Sequence, residues 1–186
     1  MSEKEATLAV INALDAQEIP YILVGSFSTS FYGIPRLTQD ADFVISIGDG
    51  SLAKVAQHLG PEFRVDPQMS FETVTMTRRT EIRVIDSPFK IELFHLSSDP
   101  HDQERFQRRR KELYLDREVY LPTPEDVVIT KLQWSLLGNR SKDRDDVRDV
   151  IAVQGDRLDW DYIHLWADRH GTRALLDEIR QSIPPI

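Results

Sequence analysis

The stretch YILVGSFSTSFYGIPRLTQDADFVI, residues 21–45, sets a Gly-Ser pair behind one apolar run and two aspartates, Asp40 and Asp42, at the head of another. Tyr21 to Val24 reads as a short buried strand, Gly25-Ser26 breaks it, and FSTSFYG reads as a short helix ended by Gly33 and Pro35. ADFVISI, 41–47, has the β-branched and aromatic residues of a second strand. Residues two apart on a strand share a face, so Asp40 and Asp42 project together while Ala41 faces the other way. Carboxylates this close raise one another's pKa unless a cation lies between them. Magnesium suits the pair, because it is a hard ion that takes a few carboxylates and fills its shell with water and phosphate oxygens. A third carboxylate from a neighbouring strand would complete the arrangement. Glu92 in KIELF alternates with Ile91 and Leu93, which belong in the core, and is therefore available to point outward; Glu81, Glu72 and Asp86 are weaker candidates. Gly25 permits a tight turn and close approach, and Ser26 then opens a helix whose hydroxyl and amides form a cradle for phosphate.

Outward from this stretch, Ala6, Ala9, Val10, Ala13 and Leu14 recur at helical spacing, which predicts an amphipathic helix over 3–17, closed off before Pro20. Gly48-Asp49-Gly50 reads as a turn into a helix, SLAKVAQHLG, that stops at Gly60-Pro61. FETVTMT (71–77), TEIRVID (80–86) and FKIELFHL (89–96) alternate in polarity, with Arg78-Arg79 and Ser87-Pro88 as turns, and predict strands of a meander. Residues 101–111 read as helix and 111–123 as a hairpin turning near Asp116-Arg117. Thr123-Pro124-Glu125-Asp126 is a helix start with Thr123 as N-cap and acids in the first turn. Helices near 124–138, 143–153, 159–169 and 172–182 follow. The expected fold class is α/β (α+β): a small mixed sheet flanked by helices over residues 1–121, and a helical bundle over 122–186.

The composition narrows the function classes. A chain of 186 residues that is 40% hydrophobic has enough apolar material for a substantial core. With no cysteine, disulfides, thiolate nucleophiles and Cys-based zinc sites are excluded, so any metal is held by oxygen or imidazole. No stretch approaches the ~20 apolar residues of a membrane span, and the chain reads as cytoplasmic with no membrane partner. A net charge of -8 argues against a broad nucleic-acid-binding face, since such faces collect Lys and Arg. RFQRRRK, 105–111, has five basic residues in seven and is the local exception; its plainer reading is the solvated face of a helix whose apolar side is Phe106.

A strand ending in Gly-Ser, a short helix, then Asp-x-Asp leading an apolar strand resembles the signature of the DNA polymerase beta-like nucleotidyltransferase superfamily. Here Gly25-Ser26 and Asp40-Ala41-Asp42 are separated by thirteen residues, and Arg36 and Thr38 match a common form of the lead-in. TPEDVVITKLQWSLLGNRSKDRDDVRDV, from Thr123, resembles the segment after the catalytic fold in abortive-infection (AbiEii, type IV toxin) nucleotidyltransferases, with Lys131, Lys142, Asp143 and Asp146 at matching positions. The resemblance implies transfer of a nucleoside monophosphate from a nucleoside triphosphate such as ATP to an acceptor, with release of pyrophosphate. It implies two Mg2+ ions, or Mn2+ in their place, bridged by Asp40 and Asp42 with Glu92 on the nucleophile side. It places Gly25, Ser26, Arg36, Thr38, Lys131, Asp143 and Asp146 as nucleotide contacts. RNA or tRNA, a protein or a small molecule would be the acceptor, and a cognate antitoxin a partner. The reading from another class is a non-catalytic nucleotide-binding or partner-binding module that retained the fold.

Plainer readings stand beside these. Lys131 lies on an amphipathic helix, where lysine is usually a solvated residue. Asp143, Asp145, Asp146 and Asp149 interleave with Lys142, Arg144 and Arg148 as helix-surface ion pairs do. Trp134, Trp160 and Trp166 fall at positions suited to packing between the terminal helices rather than to base stacking.

Overall fold

A computed structural model of the chain describes residues 1–47, 52–66, 68, 70–72 and 76–184. The chain forms two compact units: the first comprises Met1–Phe27 and Leu37–Leu121, the second Ser28–Arg36 and Pro122–Ile186.

In the first unit, helix α1 (Glu3–Ala16) starts at Ser2, whose hydroxyl accepts from the Glu5 amide while the Glu5 carboxylate accepts from the Ser2 amide. The elements that follow are β1 (Tyr21–Val24), α2 (Gly25–Tyr32), of which only Gly25–Phe27 belong to this unit, β2 (Asp40–Ile45), α3 (Leu52–His58), β3 (Phe63–Val65), β4 (Ser70–Phe71), β5 (Arg78–Val84), β6 (Lys90–His95), α4 (Pro100–Gln107), β7 (Arg110–Tyr114) and β8 (Arg117–Leu121). The sheet runs β1-β2-β6-β5-β3, with β4 also paired to β5, and β7-β8 form a separate hairpin. Only β2 and β6 pair in parallel among these strands, so the sheet is mixed.

Alternation along β2 and β6 divides the sheet into two faces. Ala41, Phe43, Ile91, Leu93 and Ile82 share one face by register and are fully buried. On the other face, Ile22, Val44 and Phe94 cluster with Phe106 and Tyr120 at one end. Two residues back along β2, the same face carries Asp42 and then Asp40.

Several boundaries differ from the sequence expectation. Arg78-Arg79 is the start of β5 rather than a turn: β4 pairs on one side and β6 on the other, and the Arg79 guanidinium donates to Ser70 Oγ and to Glu92. The strand expected over 71–77 is described only at its ends, with 73–75 outside the described residues; β4 stops at Phe71 and the Glu72 amide donates to the Thr77 carbonyl. The Gly48-Asp49-Gly50 turn and Ser51 also lie outside the described residues. The short strand β3 pairs with β5 where no strand is expected from the sequence. Helix α4 ends at Gln107, so Arg110 and Lys111 belong to β7, where cross-strand pairing with Leu121 and Tyr120 outweighs the helical pattern. The hairpin turn sits at Leu115-Asp116, both at positive φ (56° and 63°), as two-residue hairpin turns require.

The second unit contains α5 (Pro124–Gly138), α6 (Ser141–Gln154), α7 (Trp160–Arg169) and α8 (Arg173–Gln181). Thr123 caps α5 by accepting from the Asp126 amide, and Asn139 ends it in the left-handed conformation. Val128, Ile129 and Leu132 of α5 pack with Val147, Val150, Ile163, Trp166 and Leu176, together with Tyr32. Trp160 packs against this core, and Trp134 lies under the Arg140 guanidinium. No helix of the described residues is long and apolar enough to cross a membrane.

Candidate functional site

Gly25 is the first residue of α2 and has φ +62°, a conformation that L side chains rarely adopt. A Cβ there would fall against the Asp42 carboxylate, 2.9 Å from its Cγ. The Gly-Ser turn and the second aspartate are therefore in contact, and the backbone conformation and this contact each demand glycine. Register explains why: Asp42 pairs with Val24, the last residue of β1. Ser26 follows, buried in the first turn of α2.

On the opposite side, Asp42 pairs in parallel with Glu92 of β6, so the two carboxylates lie on one face of adjacent strands. Asp40, two residues earlier, lies on that face, and the Thr38 hydroxyl donates to its Oδ1 at 2.6 Å. Glu92 is only 7% exposed and accepts from Arg79 Nη1 at 2.9 Å and from Lys90 Nζ at 2.8 Å. Burial pulls the Lys90 ammonium's pKa down, but its hydrogen bond to Glu92 and the negative charges of Glu92, Glu81 and Asp40 more than offset this, and the net shift is upward. Lys90 is thus a fixed cation beside the acids.

The donor chemistry of Asp40, Asp42 and Glu92 fits a hard divalent ion: carboxylate oxygens on one sheet face. Among the described residues no three His, Cys, Asp or Glu side chains converge as a metal's ligand set. Glu92 instead closes its ion pairs with Arg79 and Lys90, and ligation would require exchanging those partners. Of the weaker candidates, Glu81 is the register partner of Glu92 on β5 and binds Arg83 Nε at 2.6 Å, Glu72 is buried beyond β4, and Asp86 is exposed at φ 58° after β5.

The remaining expected residues gather in the second unit. Lys131 Nζ lies 2.7 Å from Asp143 Oδ1 and 2.8 Å from Asp146 Oδ2. Arg36 grips Asp146 with Nε at 3.1 Å and Nη2 at 3.2 Å, and Arg140 Nε reaches Asp143 Oδ2 at 3.3 Å. Burial pushes the Asp146 carboxyl up, but Lys131 and Arg36 outweigh it and hold the group below the usual carboxylate range. The structure therefore brings Gly25, Thr38, Asp40, Asp42 and Glu92 together in one unit, and Arg36, Lys131, Asp143 and Asp146 together in the other.

The 105–111 run does not make one basic face. Arg105 is buried and pairs with Asp102 at 3.1 Å, while Arg109 and Lys111 lie over the Tyr120 ring. Sequence reasoning passed over Lys90 and Arg79. The spacing Lys90-x-Glu92 on a strand already placed the first beside Glu92; the second depends on the β5-β6 register.

No known protein family's sequence pattern matches the chain, and no characterised protein matches it in sequence. In three dimensions the chain has the nucleotidyltransferase fold. It is similar to ANT(2'')-Ia in complex with adenylyl-2''-tobramycin (TM-score 0.63, 10% identity, 94% of this chain and 99% of that one). It is also similar to an antigenic nucleotidyltransferase-like protein from Paracoccidioides brasiliensis (0.54, 19%, 100% and 95%). A third likeness is to the lincosamide antibiotic adenylyltransferase LnuA with lincomycin bound (0.50, 12%, 82% and 98%).

Proposed function

We propose that this chain transfers a nucleoside monophosphate from a nucleoside triphosphate to an acceptor hydroxyl, with Mg2+ or Mn2+ held by Asp40, Asp42 and Glu92. The observation that supports it best is the same-face register of Asp42 with Glu92, with the Asp42 carboxylate pressed against Gly25. The acceptor oxygen bonds to the α-phosphorus, the bond to the bridging oxygen breaks, pyrophosphate takes the electron pair, and the hydroxyl proton passes to solvent. A divalent pair would neutralise the triphosphate and ease ionisation of the acceptor hydroxyl. Thr38 orients Asp40, Ser26 meets a phosphate oxygen, and Arg79 and Lys90 hold the Glu92 carboxylate in place through their ion pairs. Arg36, Lys131, Asp143 and Asp146 are the second unit's nucleotide-binding group.

A small-molecule acceptor is favoured. Two structural neighbours are described with antibiotics or antibiotic adducts, the net charge is -8, and the 105–111 run is dispersed. The finer reading, the toxin of a type IV toxin–antitoxin pair with RNA as acceptor, rests on the likeness of the segment from Thr123. Incubation with Mg2+, each α-labelled triphosphate and small-molecule, RNA or protein acceptors should give label transfer, reduced about 100-fold or more by Asp42→Asn. If no nucleotide binds and Asp42→Asn matches the parent in transfer and in growth arrest on expression, the proposal fails.

One observation favours a second reading, a nucleotide-binding module without turnover: Glu92 is already neutralised by Arg79 and Lys90. Calorimetric binding of a triphosphate with no pyrophosphate release would select it.

A further inference from the structure

Beside Asp40 the polar face of the sheet changes sign. The register runs Asp40, Lys90, Arg83, Arg64 across β2, β6, β5 and β3. Cross-strand partners share a face, so the three cations form a row that begins one strand from Asp40. With Glu81, Pro88 and Phe89 they line a depression of about 450 Å3, within the range of small-molecule sites. Phe89 is buried and supplies an apolar floor. Three cations face one carboxylate here, in a chain whose net charge is -8. Arg83 and Lys90 have acidic partners, Glu81 and Glu92, whereas Arg64 has no ion-pair partner among the described residues.

We propose that this depression anchors the acceptor, and that the acceptor is a small hydroxylated molecule bearing a phosphate or a carboxylate. This rests on the transferase reading above and adds the acceptor's class to it. A molecule held by Arg83 lies two strand spacings, about 10 Å, from the Asp40 strand, a span that a phosphorylated sugar covers. Its anion meets Arg83 and Arg64, its carbon frame lies along Pro88 and Phe89, and a hydroxyl reaches toward the acids. An amine-rich acceptor would meet like charge along the same row. The triphosphate of the nucleotide carries the same anionic chemistry, so the experiment must separate the two sources.

The full 15N-labelled chain is titrated at constant ionic strength with inorganic phosphate, glucose 6-phosphate and gluconate, and with glucose and glucosamine as neutral and cationic counterparts. The anions should give saturable shifts at the amides of residues 64, 83–87, 89 and 90, and the neutral and cationic sugars should not. Arg64→Ser, and Arg64→Ser with Arg83→Ser, should weaken glucose 6-phosphate binding by about tenfold or more; both side chains are exposed, and a dispersed spectrum checks the fold. Absence of anion shifts, or equal shifts with every sugar, overturns the inference. The titration is then repeated with Mg2+ and a saturating non-hydrolysable triphosphate. Persistence of the glucose 6-phosphate shifts supports an acceptor site, and their disappearance assigns the depression to the triphosphate and overturns it. If anions bind but no nucleotide does, the transferase reading fails and the acceptor role falls with it; if nucleotide turns over while the depression stays silent, only this inference fails.

Discussion

Replacing Gly25 by alanine should cost stability in two separable ways. The first is backbone strain, since an L-residue at φ +62° costs roughly 1–2 kcal/mol. The second is overlap with Asp42, whose Cγ would lie 2.9 Å and whose Cβ would lie 3.1 Å from the new methyl. Forcing an extra methyl into a packed contact costs about 1–3 kcal/mol. The double-mutant cycle of Gly25→Ala with Asp42→Ala isolates the second part: without the carboxylate only the 3.1 Å contact remains, which a shift of a few tenths of an ångström relieves. The expected coupling energy is about 1–3 kcal/mol. Urea unfolding of the four proteins should be followed by far-UV circular dichroism, because Trp134, Trp160 and Trp166 all lie in the second unit. Gly171→Ala, at φ +67° with nothing within 4 Å of a Cβ, should show the backbone cost alone. If Gly25→Ala costs the same in both backgrounds to within about 0.5 kcal/mol, the Gly25–Asp42 contact does not constrain the site.

Lys131→Met should destabilise the second unit by about 3–5 kcal/mol, since it strips an ammonium from two buried carboxylates, Asp143 and Asp146; a change in tryptophan-monitored unfolding below about 1 kcal/mol would refute this. The Asp146 carboxyl titrates below its unfolded value of about 3.9, so the unfolded chain binds more protons across that window. Its contribution is present above the unfolded value and lost as pH falls through the folded one; Asp146→Asn should flatten that acid limb of stability, and an unchanged limb would point to another group. Thr123→Ala removes both an N-cap and the hydroxyl that donates to buried Asp126 Oδ2 at 2.8 Å. It should cost about 1–2 kcal/mol in chemical denaturation.

What could be read in advance was local. The apolar runs at 21–24 and 41–47, the alternation at 89–96 and the TPED helix start each carry their own signal within a few residues, and the structure places elements there. Arg78-Arg79 misled because paired charges resemble a turn, while the partners that hold them in a strand, Ser70 and Glu92, come from other elements. Phe63–Val65 is too short for alternation to register. Register across the sheet is a property of strand order, so the pairing of Glu92 with Asp42, fifty residues apart, could be named as a need but not as a geometry. The same holds for Arg36 and Asp146, 110 residues apart and gripped in a bidentate ion pair.

The grouping of Ser28–Arg36 with Pro122–Ile186 bears on how this protein can be cut or exchanged. Tyr32 is buried in the helical core, donates its hydroxyl to the Pro122 carbonyl and accepts from Gln154 through its own carbonyl. A truncation after Leu121 therefore exposes Tyr32 on one fragment and leaves a hole in the other. Grafting the terminal helices onto a related chain would need the 28–36 segment to travel with them, as a single block inherited from two places in the gene.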